Sequence, residues 1–568
     1  MRTGLRCATA DLDKICHDGL FRAASAQQVM SNCGAVFSEG LTGLIGASSL
    51  EELSSEAARA KAKEACAASY EACKEVKSVD VFISHNWGAK RWEKFLAMCF
   101  HLNFGLAIKA TVCSASTAIA VLLLTVDTVT GLGGSSLVLP LVLWLPMSFF
   151  FIFFFFGQTL TCGRCAPSFW LDKLCVLQTD DAMKAKAISG FPAVLARSRR
   201  MLILWDEEYF DRMWCNLELA VFTRFSMEGT RNIHFLPVWL APWFLALLIS
   251  DLVGVTLLRA MAGVMTGPDI LKTGQDSVNE AVSQLPISLS PDLIRVIWET
   301  LEMTLSFAPY YLCALPTVLV LRWKMRSHGL MLQQMRAFDA RTAQCSLESD
   351  RTLLQQEIAH IFGQDELPVN QNTSPVSKMS DLEASDVAAL KQPWIDNCER
   401  EPLEMFNACV RGPLRHAVLD RIGSELHMSY RLALAAQLPM LLYGLVDTIS
   451  CSGHDCQDLA RSAGLSSGVE YMKLGFLYDL LSSLVVFPAA QPLLFGFLSK
   501  LGAISDRPWL NLLLGLILSF LLYTYIFLCA SLCPCLATVA MQQSSPEWWA
   551  ALLLFGGVML VQLHLAFR

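Results

Sequence analysis

The 568-residue chain lacks the features that mark several common classes of protein. It contains no Lys- or Arg-rich run that could neutralise a phosphate backbone, so nucleic acid is not predicted as a partner. No glycine-rich nucleotide-binding loop, HExxH helix or kinase signature occurs, and a lone CxxC motif has no second pair at zinc spacing. The sequence therefore predicts no metal site and no cofactor.

Charged residues are scarce in this sequence and apolar residues are abundant, at 17% and 54%. Ordinary soluble domains contain about 45–50% apolar residues, and the excess here is concentrated in long runs. Because a helix needs about 20 apolar residues to cross a bilayer, each run predicts a membrane span. The run near residues 509–540 can be divided in more than one way, so totals of seven or nine spans remain as alternatives. We expect about eight spans, namely Ala110–Val126, Leu137–Phe156, Phe235–Leu258, Leu305–Leu321, Leu432–Ile449, Leu474–Leu498, Trp509–Ala530 and Trp548–Phe567.

The lipid bilayer is the first partner that the sequence implies. The positions of Lys and Arg between the apolar runs predict the orientation of the chain in that bilayer. Both termini are expected in the cytosol, although the sequence does not indicate which membrane holds the protein. A sequon at Asn372 runs against this topology, but such tripeptides often arise by chance. The positive residues that favour the cytosolic side include Lys90, Arg91, Lys324, Arg326, Lys500 and Arg568.

One acidic residue, Asp251, interrupts the third apolar run. A carboxylate inside a bilayer is energetically costly, and such residues commonly take part in function. Asp251 is therefore the intramembrane acid that we select as a candidate functional residue.

Residues 78–238 carry a second pattern, in which short apolar strands alternate with helices. Residues 1–77 before them are predicted to be helical, and a transmembrane hairpin at 106–157 interrupts the alternation. Alternation of this kind favours right-handed crossovers and a small parallel sheet covered by helices. The expected fold class is a polytopic α-helical membrane protein with a cytosolic α/β domain whose strands are Val79–Ser84, Phe169–Asp172, Met201–Trp205 and Ile233–Pro237.

Within this pattern, an ordered set of motifs resembles the Toll/interleukin receptor (TIR) family. DVFISH is followed by a helix, WLDK precedes a variable loop, and MLILW, WCNLEL and IHFLPV follow in the family's order. The resemblance covers roughly residues 78–105 and 165–238 and implies a flavodoxin-like parallel sheet, from which the inserted hairpin departs. The signature positions, to which it gives structural roles, are Asp80, Ser84, Asp172, Trp214, Cys215 and Glu218.

The enzymatic members of the TIR family cleave NAD, using a glutamate a few residues after the second strand. In this sequence Gln178 stands at the corresponding position, and an amide cannot supply the negative charge that steadies an oxocarbenium-like centre. The nearest acids are Asp180 and Asp181, which are shorter and displaced along the loop. With only these three residues as candidates, no catalytic residue is assigned and NAD cleavage is not expected.

The signalling members of the family assemble with other TIR domains through surface loops. The resemblance therefore implies other TIR-like domains, cytosolic signalling proteins or further copies of this chain as partners. Taken singly, each aromatic or acidic residue of these loops is more often a core anchor or a loop-fixing group than a ligand contact. The candidates for the interaction loops are His85, Asn86, Trp87, Cys175, Gln178 and Thr179.

The rest of the chain carries no catalytic motif. Residues 235–321 are predicted to form a transmembrane pair with an outer loop, 322–430 a cytosolic helical region, and 431–568 a four-span region. We therefore expect a membrane-anchored TIR-like signalling or scaffold protein that recruits partners at the cytosolic face. One alternative is a channel or transporter regulated by its TIR-like domain, and it is supported by far more spans than anchoring needs. The other alternative is a membrane-bound NAD hydrolase.

Overall fold

A computed structural model gives the fold of the chain and divides it into two compact units. The α/β unit comprises residues 1–103, 156–241 and 327–423, and the helical unit comprises 104–155, 242–326 and 424–568. The residues that the structure describes are 19–38, 56–129, 135–164, 166–225, 232–265, 280, 290–345, 348–363, 401–450, 457, 460–461, 464–502, 507–543 and 545–568.

The strands are short and belong to the α/β unit. Two of them form an antiparallel pair, and the other four form a parallel sheet in the order β4-β3-β5-β6. Their bounds are β1 Arg22–Ala23, β2 Lys74–Glu75, β3 Val79–His85, β4 Phe169–Trp170, β5 Ser198–Trp205 and β6 Ile233–Pro237.

Helices make up most of the described chain. Several are interrupted by short 3-10 or π turns, as at 140–144, 308–313 and 482–489. The α-helices are α1 Ala26–Gly34, α2 Glu56–Glu71, α3 Arg91–Val129, α4 Ser135–Leu139, α5 Leu145–Leu160, α6 Asp172–Cys175, α7 Asp181–Ser189, α8 Phe191–Ala196, α9 Met213–Phe225, α10 Leu240–Met265, α11 Pro291–Ser306, α12 Ala314–Arg336, α13 Glu348–Gly363, α14 Pro402–Cys409, α15 Arg415–Ile422, α16 Tyr430–Ala436, α17 Leu438–Ser450, α18 Gly468–Leu481, α19 Ala490–Gly502, α20 Pro508–Gln543 and α21 Pro546–Phe567.

The parallel sheet has its core in the two central strands, β3 and β5. Ile83 of β3 lies opposite Leu202 of β5, and Ile203 of β5 lies opposite Phe235 of β6. These two strands are nearly continuous apolar runs with buried side chains, which is the pattern of a parallel sheet covered on both faces. The small parallel sheet expected from the sequence is therefore confirmed.

The third segment of the α/β unit, residues 327–423, packs against helix α9 through α13. Gln344 is held on both sides of its peptide group, because its N–H donates to the carbonyl of Asp211 at 2.6 Å and its carbonyl accepts from Met213 at 3.0 Å. Phe338 contacts Phe210 edge-on, with ring centroids 5.5 Å apart. The stretch treated as a separate helical region in the sequence is thus part of the unit that contains the sheet.

Six helices in the described part of the chain are long and apolar enough to cross a membrane. A bent pair, Pro291–Ser306 with Ala308–Arg336, makes a seventh if it is one span. This architecture is consistent with a multi-pass helical membrane protein. The six helices are Arg91–Leu124, Leu137–Leu160, Leu240–Met261, Gly468–Leu501, Pro508–Gln543 and Pro546–Phe567.

Within the described residues, six or seven of the roughly eight expected spans are found, because the run Leu432–Ile449 is not one helix. Helix α16 ends at Ala436 and α17 begins at Leu438, so the two pieces have seven and thirteen residues. Pro439 supplies a physical reason, since proline lacks an N–H donor and its ring clashes with the carbonyl four residues earlier, here that of Ala435 in α16. At 1.5 Å per residue, neither piece alone reaches across a hydrocarbon core of about 30 Å.

Candidate functional site in the α/β unit

A pocket lies at the carboxyl ends of strands β3 and β4, where open α/β sheets commonly bind ligands. The loop after β3 supplies one wall, the turn after β4 supplies another, and α9 closes the third. Its volume is about 380 Å³, within the usual range for a small-molecule site. The lining includes eight of the residues that the sequence singled out, His85, Asn86, Trp87, Asp172, Gln178, Trp214, Cys215 and Glu218.

The first two walls are joined by contacts between Trp87 and Asp172. The indole Nε1 of Trp87 donates to Oδ2 of Asp172 at 2.8 Å, and Nζ of Lys173 lies 4.4 Å from the centre of a Trp87 ring. Gln178 adds a further restraint, because its Nε2 donates to the carbonyl of Asp172 at 3.0 Å. The Gln178 amide therefore holds the loop that follows β4.

The third wall carries a second carboxyl group, that of Glu218. Its Oε2 accepts a hydrogen bond from Oγ of Ser84, and the same Oγ lies 2.7 Å from the hydroxyl of Tyr209. Either hydroxyl can be the donor in the bond between Ser84 and Tyr209. The sequence assigned Glu218 a structural role, and the structure adds that this residue lines the pocket.

Burial raises the pKa of both pocket carboxyl groups. Burial raises the pKa of Glu218 to about 8, and the negative charge of Asp172 adds to this effect while the Ser84 bond opposes it. Burial also raises the pKa of Asp172, although the charge of Lys173 and the hydrogen bond from Trp87 lower it. Glu218 therefore carries a proton through much of the neutral range and can donate it to a bound group.

His85 and Asn86 line the pocket where the loop after β3 begins. Burial, together with the positive charges of Lys94 and Lys173, sets the pKa of His85 well below its usual value, so the ring is neutral. Its Nε2 has no hydrogen-bond partner within the described residues. Asn86 donates through Nδ2 to Asp206 at 2.9 Å, and burial raises the pKa of Asp206 to about 6.

Several of the predicted residues lie outside the pocket. Cys175 is buried, and Thr179 is half-buried in the following loop. Asp180 caps helix α7, because its Oδ1 accepts from the N–H groups of residues 182 and 183 at 3.0 Å each. Asp80 accepts from the N–H and hydroxyl of Ser168 at 3.0 and 2.8 Å and so fixes the entry to β4. The side chain of Asp181 lies outside the described part of the structure.

Sequence reasoning missed several members of the lining. Trp170 is the first residue of the WLDK motif and Arg212 lies two positions before WCNLEL, so both motifs offered a signal for these residues. Asp350 comes from the third segment of the unit, more than a hundred residues away from the nearest signature, and no local pattern marks it. The additional lining residues are Trp170, Val176, Lys184, Ala187, Phe191, Arg212 and Asp350.

The intramembrane candidate Asp251 belongs to the helical unit and is buried. Its Oδ1 accepts from the hydroxyl of Tyr310 at 2.5 Å, and its Oδ2 accepts from the N–H of Met440 at 2.9 Å. Met440 is in the first turn of α17, where N–H groups have no partner within their own helix. Asp251 therefore caps the helix that begins after the break at Gln437, which gives this carboxyl a structural function.

Within the described residues, no group of three or more His, Cys, Asp and Glu side chains could hold a metal ion. Comparisons of the chain with protein-family models, with curated proteins and with solved structures yield no match.

Proposed function

We propose that this protein is a membrane-anchored TIR-like signalling protein whose α/β unit binds a small ligand and thereby controls the recruitment of partners at the cytosolic face. The observation that carries the proposal is the pocket at the carboxyl ends of β3 and β4. The partners are other TIR-like domains, cytosolic signalling proteins or further copies of this chain, as the family resemblance implies.

The burial of the candidate interaction residues favours a ligand over direct protein contact. His85, Asn86 and Cys175 are buried, and Trp87 and Gln178 are half-buried while they hold the neighbouring loop. Such side chains cannot form the exposed aromatic anchors that protein interfaces use. All of them except Cys175 line the small-molecule pocket, and a ligand bound there would change the conformation of the loops that a partner contacts.

The test measures binding and self-association of the full-length protein in detergent, with NAD as the probe because the TIR resemblance implies it. We expect saturable binding by thermophoresis and a change in mass by sedimentation velocity. Trp87→Ala should weaken binding by at least tenfold, because the variant loses the ring and releases Asp172. Trp92→Ala is the matched control, since Trp92 is 57% exposed and lies outside the lining. Absence of both NAD binding and any change in mass would contradict the proposal.

A second candidate function is NAD hydrolysis, and the presence of Glu218 and Asp172 in one pocket favours it. In glycoside cleavage, one carboxylate steadies positive charge on the sugar while a protonated carboxyl assists. Here water would replace nicotinamide at the ribose carbon. The raised pKa of Glu218 suits it to the acid role, and Asp172 is the second carboxyl.

Nicotinamide release by the purified protein separates the two candidates. The position of Gln178 predicts no consumption of NAD above background, with binding alone. Hydrolysis that Glu218→Gln abolishes and Gln178→Ala preserves would establish the second candidate. If activity instead disappears on changing Asp180 or Asp181 to Ala, the catalytic acids lie in the loop before α7 and the Glu218 assignment is wrong.

A further inference from the structure

A small cavity in the helical unit lies at the break between α16 and α17. Its volume is about 10 Å³, close to the roughly 10–15 Å³ that one water molecule requires. The cavity therefore excludes an organic ligand and accepts a single water molecule or a monatomic ion. The oxygen-bearing side chains in its lining are Asp251, Tyr310, Gln437 and Tyr523.

Asp251 contributes a carboxyl group to this cavity, and the described residues of the lining include no Lys, Arg or His. Both groups that contact the carboxyl are neutral, because Oδ1 accepts from the hydroxyl of Tyr310 at 2.5 Å and Oδ2 accepts from the N–H of Met440 at 2.9 Å. A carboxylate offers about four lone-pair sites, so each oxygen retains the capacity to bind a further group. Because an isolated buried charge is very unfavourable, this carboxyl needs either a cation or a proton.

An amide oxygen without a partner lies in the wall of the same cavity. Gln437 is 9% exposed, and its Nε2 donates to the carbonyl of Phe487 at 2.8 Å. A carbonyl can only accept, so this bond fixes which end of the amide is nitrogen. The other end, Oε1, has no hydrogen-bond partner among the residues that the structure describes. The lining thus combines an unpaired amide oxygen with a buried carboxyl group.

The interruption of the helix is arranged around these two groups. Gln437 is the residue between α16 and α17. In a continuous helix the N–H of Met440 would bond to the carbonyl of Ala436, four residues earlier, but here it donates to Asp251. Interrupted helices of this kind are the places where membrane proteins bind small cations through oxygen atoms.

Aromatic rings hold the hydroxyl oxygens in place and exclude water from the cavity. A methyl group at Gly254 would lie 2.5 Å from the ring of Tyr310, so only glycine lets this ring lie against α10 beside Asp251. The ring of Tyr310 also meets those of Tyr523 and Phe527 edge-on, with centroids 5.7 and 5.4 Å apart. In such surroundings the attraction between a carboxylate and a cation is stronger than in water.

We propose that this cavity binds one dehydrated monovalent metal cation, represented by sodium, between the carboxylate of Asp251 and Oε1 of Gln437. The hydroxyl oxygens of Tyr310 and Tyr523 supply further ligands. One carboxylate balances a single positive charge, whereas calcium takes six to eight oxygen ligands, more than these side chains offer. Water alone would leave the charge of Asp251 without a counter-charge. This site goes beyond the function proposed for the α/β unit.

The test uses the full-length protein in a nonionic detergent, with radiolabelled sodium as the probe and choline as the cation of the buffer. We expect saturable binding that unlabelled sodium displaces and that choline, which is too large for the cavity, does not. Asp251→Asn should weaken binding at least tenfold, because it removes the charge and keeps an acceptor oxygen. Gln437→Leu, which keeps the charge, should weaken it about fivefold through loss of Oε1.

Asp479→Asn is the matched control for the loss of a buried acid. Asp479 is buried in the same unit and accepts a hydrogen bond from Thr448, but it lies outside this cavity. The variant should bind sodium as the unaltered protein does. Thermal unfolding verifies that each variant folds, and if Asp251→Asn does not, Gln437→Leu decides.

A second measurement needs no variant. Sodium chloride should raise the melting temperature of the unaltered protein more than choline chloride at the same ionic strength, because a cation that binds only the folded state stabilises it. Absence of saturable sodium binding would mean that the cavity holds water or that Asp251 carries a proton, and it would overturn the proposal. Equal binding by the unaltered protein and every folded cavity variant would overturn it as well.

Discussion

The raised pKa of Glu218 predicts how the stability of the α/β unit depends on pH. The ordinary pKa of this carboxyl is 4.5, and in the folded protein it is about 8. A group whose pKa rises on folding binds its proton more tightly in the folded state. The stability it contributes is therefore fully present below about pH 4.5 and is lost as the pH rises toward 8.

The substitution Glu218→Gln removes this dependence, because an amide stays neutral at every pH and can still accept from Ser84. Each unit of pKa shift corresponds to about 1.4 kcal/mol, and the pocket admits solvent beside the carboxyl, so we expect an effect of about 2–4 kcal/mol. The variant should match the unaltered protein near pH 5 and exceed its free energy of unfolding by that amount at pH 8. Asp172 and Asp206 titrate in both proteins, so their contributions largely cancel in the difference.

The assay is pulse proteolysis of the full-length protein in detergent across a urea series at pH 5, 6, 7 and 8. This method reports the fraction of the α/β unit that is unfolded before cleavage. Glu207→Gln is the control, since Glu207 is exposed in the loop after β5 and should shift no curve. Curves for the unaltered protein and Glu218→Gln that remain parallel between pH 5 and pH 8 would refute the reasoning.

Three further predictions follow from the fold. Ile83→Asp and Ile203→Asp should each expose both halves of the sheet to protease, because these buried residues belong to paired central strands; protection lost in one half alone would refute a single sheet. Asp251→Ala should lower the melting temperature of the helical unit, because it leaves the buried Tyr310 hydroxyl and a helix N–H without an acceptor. The expected cost is about 2–5 kcal/mol. Asp251→Asn keeps an acceptor oxygen and should cost less. Tags at both termini and near residue 350 should be protease-protected in sealed vesicles with the cytosol inside, and a glycan on Asn372, which lies outside the described residues, would contradict this topology.

The local sequence predicted the positions of the four parallel strands, and the bounds of two of them closely. Val79–Ser84 became Val79–His85, and Ile233–Pro237 has the predicted bounds. The predicted strand Phe169–Asp172 ends at Trp170, because Asp172 begins a short helix, and Met201–Trp205 starts earlier, at Ser198. Short apolar runs bounded by polar loops carry this information locally, because a strand in a covered parallel sheet buries both of its faces. The amphipathic helix after the first strand and the first membrane run were also predicted, but the structure joins them in one continuous helix, α3.

The remaining differences arise from interactions between distant parts of the chain. Nothing near Gln344 indicates that its backbone pairs with residues 211 and 213, because that contact depends on how the whole unit folds. The sequence identifies Glu218 only as a residue of the WCNLEL signature. The family resemblance instead points to the loop around Gln178 as the position where a catalytic acid would lie. The place of Glu218 in the pocket emerges only when α9 is packed beside β3.

The division of the α/β unit into three segments has a consequence for its synthesis. Strand β3 is complete at His85, but its partner β5 begins at Ser198, after two apolar helices have been made. At about 5–20 residues per second, a ribosome needs roughly 6–23 s to produce the intervening chain. During that interval β3 has an unpaired, apolar edge, so insertion of the first helical hairpin precedes closure of the sheet. Nascent chains of this protein should therefore depend on holding chaperones at the membrane surface until β5 and then the third segment emerge.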